Sequence, residues 1–531
     1  MTDKAVSVNA SKKALAGRRL LRGGLLRGGL IAVAIAGLTV SGLAAAGAAA
    51  APGSTPPAQE SATPGATFNV RDYGAKGNGS ADDSAAFDKA VTAASAVGGG
   101  IVEVPSGTYK SAHTVHLESH VTIQLDAGST ITGAGGNSYD QAEANPYDQY
   151  QDYGHSHFHD AMFSGDGLTG IGFTGSGTID GGGHLITGNP KSGQADKIIS
   201  LTRCSGLTLS GVTLKRGGHF AALINGCTGV TSDNLTIATS GDRDGWNIIS
   251  TTGVTITNPH ISSNDDALVF KSDYALGKKL PNGNVKVTGG RLQANCCNAL
   301  MFGSETCGDF TGYSFDGITI TGAHKSGIGI VSMDGAKISD VHYRNITMSG
   351  TYSPVMMKIG SRKRCGGNPG VGSISDITFD HVTGSYTGSG SFSPTLWGAD
   401  AAHEVHNVTF TDVNLTVPGG DGTMSTDVPS NNATDYNPNS IGTRPSYGWY
   451  LHYTDGITFT GSSLKFAKDD GRPAAIVNHS SDITFRDLTV QKGAKSPFDV
   501  GFQSVQGYCL SGRTSTGGDL RVKATDSSAT C

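Results

Sequence analysis

Residues 264–272 read NDDALVFKS, with Asp265 and Asp266 side by side at the head of an alternating apolar run. Just upstream, GDRDGWNIIS carries Asp242, Asp244 and Asn247. Adjacent aspartates at a strand head have an ordinary explanation: a turn in which carboxylates accept from nearby backbone N–H groups. A calcium-binding cluster is a second explanation. The third is acid–base chemistry. Carboxylates held close together repel when ionised, so at least one is expected to keep its proton, which separates an acid from a base. Glycosidic bond hydrolysis needs that separation, because one group protonates the leaving oxygen while another activates water.

Which explanation holds depends on what brings the carboxylates together. Beyond Ile101, short β-rich strings recur, among them GLTLSGVTL (206–214), GVTSDNLTI (229–237), GVTITNPHI (253–261), NVKVTGGRL (284–292) and ITFRDLTV (483–490). Leu207, Val230 and Val254 mark successive repeats. A short period made only of strand and turn predicts a solenoid whose coils bury one another's apolar faces. The fold class expected is all-β, a single-stranded right-handed parallel β-helix. A sandwich array is the alternative, and it fits poorly with so regular a pattern. Equivalent positions in successive coils stack about 4.8 Å apart. Asp244, about one coil before Asp265, is therefore expected beside Asp265 and Asp266 on one face. A short amphipathic helix over 82–95, with N-cap candidates at Ser80 to Asp83, is expected to cap the N-terminal end of the solenoid.

Composition narrows the functional classes. The 531 residues include 78 glycines without a collagen period, which points to many tight turns. A formal net charge of -5 gives no basic field for nucleic acid. Lys12, Lys13, Arg18, Arg19, Arg22 and Arg27 precede an apolar and then small-residue run, the pattern of a secretory signal peptide over 1–50, with Arg18-Arg19 suggesting a twin-arginine route. An uncleaved membrane anchor is the other reading of that segment. Residues 51–67 read as a Pro/Ser/Gly-rich linker, and 68–531 as one catalytic body with a cysteine-bearing tail. Eight cysteines in an exported chain favour disulfides, with Cys509–Cys531 and Cys204–Cys227 the plausible short loops.

At this point the residues resemble a known family. GSGTIDGGG (175–183), DGWN and NDDALVFKS at one-coil spacing resemble family 28 glycoside hydrolases, the polygalacturonase family, on a pectin-lyase-like solenoid. NALMFGSET, PVMMKIGSRKR and RPSYGWYLHYTDGITF resemble a bacterial branch of it. The resemblance implies Asp265 as general acid, Asp244 and Asp266 as the pair that activates water, an inverting mechanism, and no metal or cofactor. It also exposes two departures. Cys297-Asn298-Ala299 stands where the family has Gly-His-Gly, and Gly329-Ile330-Val331 where it has Arg-Ile-Lys. Rhamnogalacturonan-type members lack the same features, so the resemblance implies a decorated or mixed pectic substrate rather than plain homogalacturonan.

Candidate substrate-binding residues are Asn247, Lys271, Asn298, Glu305, Lys358 and Arg362, each also readable as a solvated or ladder residue. Lys363 and Arg364 complete a basic loop, while His219, Phe220, Trp246, Tyr274, Trp449 and Tyr450 are candidates to line sugar subsites or to pack. The reading is a secreted, monomeric pectin-cleaving glycosidase with a polysaccharide partner and no nucleic-acid or membrane partner after signal cleavage. A calcium-dependent lyase and a non-catalytic carbohydrate-binding β-helix are the competing readings. Insertions at 134–160 and 419–447 are expected to wall the groove.

Overall fold

The computed structural model describes residues 65–531 except 137, 389, 390, 421 and 423. The expected signal peptide, and the linker up to residue 64, lie outside the described residues. Among the described residues no helix is long and apolar enough to cross a membrane.

The repeat read from the sequence is the structural repeat. Leu207 pairs with Val230, Val230 with Val254, and Val254 with Val285, each pairing parallel. The chain winds as a parallel β-helix, with each coil hydrogen-bonded to the next. Corners are made by residues that tolerate the left-handed region, such as Asn234 (φ 51) and Asn258 (φ 47), whose N–H groups donate to Thr257 and Thr288 of the following coil.

Inward-facing positions stack into ladders. Phe315, Tyr343, Phe379, Phe410, Phe459 and Phe485 form one continuous aromatic column with successive ring centroids 5.0, 4.8, 4.9, 4.4 and 4.9 Å apart. That spacing is the inter-strand distance, so the rings stack because the backbone does. Each buried aromatic or aliphatic side chain contributes about 1.5–3 kcal/mol. Trp246 and Trp449 belong to this interior, both at 0% exposure, and are packing residues rather than sugar platforms.

The N-terminal helix runs Ser84–Ala96, two residues later at its start than the sequence pattern suggests. It buries Phe87, Ala90, Val91 and Ala94 over the first coil, and Phe87 packs edge-on against Tyr109 at 5.9 Å. Asp83 occupies the N-cap position, but its carboxylate turns back to accept from the Lys76 and Gly77 N–H groups. Disulfides join Cys204–Cys227 and Cys509–Cys531 as expected, and also Cys296–Cys297 and Cys307–Cys365.

Candidate active site

Strands Phe220–Asn225, Asp244–Ile249, Leu268–Ser272 and Leu300–Thr306 stack as parallel neighbours, in register except that the last pair shifts beyond Phe270–Phe302. Trp246 pairs with Leu268, and the Gly245 N–H donates to the Asp266 carbonyl. Asp244 is thus level with Asp266, and Arg243 with Asp265, whose N–H donates to the Arg243 carbonyl. The expected neighbourhood forms, shifted by one position: Asp265 faces an arginine across the coil rather than Asp244.

The three carboxylates differ in exposure. Asp244 and Asp266 are buried, at 3% and 5%. Asp265 is the more open, with 19% of its side chain exposed. Burial, and then the neighbouring charge of Asp265, hold the Asp244 carboxyl well above the usual carboxylate range. The same two causes raise Asp266. Asp244 and Asp266 therefore hold a proton more tightly than free carboxylates do.

Neighbours fix each carboxylate. Asn247 Nδ2 donates to Asp244 Oδ2 at 3.1 Å, leaving Asp244 Oδ1 with no hydrogen-bond partner. Asn298 donates to Asp266 Oδ1 twice, from its backbone N–H at 3.1 Å and from Nδ2 at 2.7 Å, and its own Oδ1 accepts from the Ser326 N–H. Asn247 and Asn298 were expected to bind substrate. Both are instead buried and committed to orienting the two inner aspartates. Asp265 Oδ1 accepts from the Asp266 N–H, and Oδ2 accepts from Arg243 at 3.1 Å.

A buried cation lies behind this row. Lys271 Nζ is 3.2 Å from Glu305 Oε2 and 3.9 Å from Asp244 Oδ2, and it donates to His155 Nε2 at 3.2 Å. Burial, then Lys271, push His155 down to about 4, so it accepts as a neutral ring. Burial alone would raise Glu305, but the cations Lys271, Arg362 and Arg364 outweigh it and hold that carboxyl well below its ordinary value. Lys271 thus does approach the aspartates, from the interior. Glu305, at 2% exposure and ion-paired to Lys271 and Arg364, is an inner structural anion and not a sugar ligand.

The basic loop is also corrected. Lys358 is buried, and its Nζ donates to the carbonyls of Asn432 and Asp435 and to Ser440 Oγ, tying down the 419–447 insertion. Arg362 grips Asp334 and the Ser304 carbonyl, and Arg364 bridges Glu305 and Asp152. Lys358 is buried, and Arg362 keeps only 16% of its side chain exposed. Lys363 is exposed. Tyr450 is buried beside Trp397, and Tyr274 packs edge-on against Tyr147 and Tyr150.

Four residues that sequence reasoning missed complete the site. Arg243 bridges Asp265 and His219 Nε2, the latter at 2.8 Å; burial and then Arg243 depress His219 to about 2, and its ring stacks on Phe220 at 4.3 Å. His155 arrives from the 134–160 insertion. Lys325 and Tyr436, the latter from the 419–447 insertion, pair through a 3.3 Å hydrogen bond. Met301, Val331 and Met333 form a small apolar cluster with Tyr436 packed on it. Val331 is one of the two positions where the sequence comparison expects a cation, so this corner is apolar. Asp152, His155 and Glu305 offer ligand atoms within 4.8 Å of one another, but Lys271 and Arg364 already neutralise Glu305. Asp265 with Cys296 and Cys297 makes a similar group, whose sulfurs are joined in a disulfide.

The profile described as "Glycosyl hydrolases family 28" matches residues 96–434, more than half of the chain. The chain belongs to this family. A polygalacturonase of Cochliobolus carbonum is 31% identical over 204 residues, covering 36% of this chain and 53% of that protein. An exopolygalacturonase of Platanus acerifolia is 25% identical over 351 residues, covering 61% of this chain and 84% of the other. The solved family 28 exopolygalacturonase of Yersinia enterocolitica superposes with a TM-score of 0.56 at 17% identity, over 85% of this chain and 79% of that one, a likeness of fold. The match covers only 53% and 60% of the length of two of the curated polygalacturonases.

Proposed function

We propose that this family 28 member is a secreted, inverting glycoside hydrolase acting on pectic polysaccharide. The observation that carries the reading is the stack of Asp244 over Asp266, two buried carboxyls with raised proton affinity, beside the more open Asp265. Asp265, the one reachable from the groove, protonates the departing glycosidic oxygen once substrate displaces Arg243 from Oδ2. Asp244, with its unpartnered Oδ1, and Asp266, held by Asn298, position the attacking water, and Asp244 takes its proton when it is ionised, the form that Lys271 favours. Lys271 compensates the charge that Asp244 carries as a base. Attack by water from the face opposite the leaving group inverts the anomeric centre.

The lack of a cation at Gly329 and Val331, where the family resemblance implies one, favours a neutral sugar at the cleaved position, hence a rhamnogalacturonan-like or otherwise mixed polymer rather than a uniform chain of uronates. Four disulfides among the described residues suit an oxidising, extracellular setting.

The pairing of Arg243 with Asp265 favours a second assignment, in which an inner aspartate is the acid. An aryl glycoside with a good leaving group needs no acid, so the variant lacking the acid retains activity on it while losing activity on polysaccharide. Asp265→Asn is expected to behave in this way and Asp244→Asn to fail on both substrates. Retention by Asp266→Asn instead would reassign the acid. No new reducing ends from any purified pectic polysaccharide would overturn the hydrolase reading.

A further inference from the structure

Three buried ionisable groups that the proposed mechanism does not use lie in the coils ahead of the aspartates. Asp160, Asp196 and Lys197 are all at 0% exposure, and the Lys197 ammonium is ion-paired with Oδ1 of both carboxylates. Lys197 pairs with Phe220, and Phe220 with Asp244, in successive coils. Asp196 Oδ2 has no hydrogen-bond partner and lies 3.6 Å from Nδ1 of the buried His219. The Asp196 carbonyl accepts from the His219 and Phe220 N–H groups, at 2.8 and 3.2 Å. The 134–160 insertion closes over the same rings, for a Cβ on Gly154 would come within 2.5 Å of Phe220 and 3.1 Å of His219. His219 is held by its backbone, by the stacked Phe220 and by the insertion above it.

Its partner fixes its tautomer. Arg243 Nη1 lies 2.8 Å from His219 Nε2. A guanidinium only donates, so Nε2 accepts and the ring proton sits on Nδ1, facing Asp196 and the Gly188 carbonyl. Burial, then Arg243, Lys197 and His155, disfavour the imidazolium, so the acceptor persists. The rest of the guanidinium goes to one oxygen of Asp265. Nε and Nη2 both donate to Oδ2, at 3.4 and 3.1 Å, while Oδ1 takes the Asp266 N–H. Without His219 the same group is free to turn into the two-oxygen fork that guanidinium and carboxylate prefer, which would lock Asp265 in an ion pair.

We propose that His219, seated on the buried Asp160–Lys197–Asp196 group, is a positioning residue for the acid: it holds back one end of Arg243, so that the guanidinium meets Asp265 through a single oxygen and lets go when substrate arrives. The inference rests on the assignment of Asp265 above and adds to it the device that keeps that acid available.

The test combines His219→Leu with Arg243→Met in the full chain. His219→Leu is expected to lower kcat on pectic polysaccharide by about ten- to a hundredfold, the worth of one hydrogen bond to a charged group, and to spare an aryl glycoside whose leaving group needs no acid. His219→Gln keeps an acceptor and is expected to recover most of the loss. Once the guanidinium is gone there is nothing to hold back, so the double variant is expected to match Arg243→Met alone. A loss that His219→Gln does not recover, that falls equally on both substrates, or that adds to the effect of Arg243→Met marks a merely structural ring and overturns the proposal. Histidine-selective ¹⁵N spectra read the arrangement without turnover. A neutral His219 protonated on Nδ1 is expected from about pH 5 to pH 8, and a ring protonated on Nε2 in that range overturns it. A wild-type protein with the expected tautomer that releases no reducing ends refutes the hydrolase reading and leaves the restraint of Arg243 by His219 standing.

Discussion

Replacing Lys271 by methionine removes the buried positive charge behind the catalytic row while keeping most of the side chain's volume. Lys271 Nζ lies 3.9 Å from Asp244 Oδ2. At an effective dielectric of about 20, two unit charges at that distance attract by about 4 kcal/mol. At 1.36 kcal/mol per pH unit this is an upper limit of roughly three units on the Asp244 proton affinity. Arg243 remains nearby and water enters the space, so a rise of at least about one unit is expected. The sign follows from the charge: loss of a cation disfavours the carboxylate, so the base form of Asp244 appears only at higher pH. The acidic limb of the kcat/KM–pH profile should move upward by one unit or more, with the alkaline limb much less affected. Glu305 loses its 3.2 Å partner in the same variant, and breaking a buried pair in this way costs about 3–5 kcal/mol of stability. Thermal unfolding would first establish that the variant is folded at the assay temperature. A folded Lys271→Met enzyme whose acidic limb coincides with that of the wild type would refute the electrostatic role given to this lysine.

Three further outcomes follow from the same geometry. Asn298→Ala removes the Nδ2 bond to Asp266, and kcat should fall by about 10- to 100-fold, the equivalent of about 1–3 kcal/mol, with KM little changed; a large KM effect would return Asn298 to substrate binding. Asp244→Asn should abolish polysaccharide cleavage yet stabilise the fold near neutrality. The raised folded-state affinity of Asp244 means that its stabilising contribution is complete below the unfolded value of 3.8 and is lost as pH rises through the folded value. The stability gain of the variant should therefore grow between about pH 4 and pH 7 in urea titrations, and a pH-independent difference would contradict the burial argument. Phe379→Ala, in the middle of the aromatic column, should cost about 3–5 kcal/mol in denaturant unfolding while leaving kcat/KM intact.

The coil period was legible because burial enforces it: Leu207, Val230 and Val254 must recur for each coil to cover the next, and they pair as spaced. The proximity of Asp244 to Asp265 and Asp266 followed from the same period. Finer register did not, because a spacing counted to Asp265 and one counted to Asp266 differ by a residue, and only the observed pairing shows that Arg243 takes the place opposite Asp265. Long charged side chains were the least readable. Lys358 and Arg362 sit in a run that reads as a solvated basic turn, but their partners come from Asn432, Asp435 and Ser440, and from Asp334, through folding of an insertion and a neighbouring coil that no local pattern announces. Tyr436 was invisible for the same reason. Trp246 and Trp449 illustrate the opposite error, since an aromatic beside a catalytic motif is as useful to the core as to a sugar.

One coil between catalytic levels, from Arg243 to Asp265, takes 22 residues, and the next, from Asp266 to Asn298, takes 32, yet the columns stay aligned. The backbone ladder acts as a ruler whose marks do not move when chain is inserted between them. Extra length is exported to the corners, where it builds walls and clefts. The levels of the reacting aspartates are thus independent of the length of chain inserted between them. Grafting a different 419–447 insertion onto this scaffold should change which polymer enters without altering how its bond is broken, whereas the 134–160 insertion brings His155 to Lys271 and cannot be exchanged so freely.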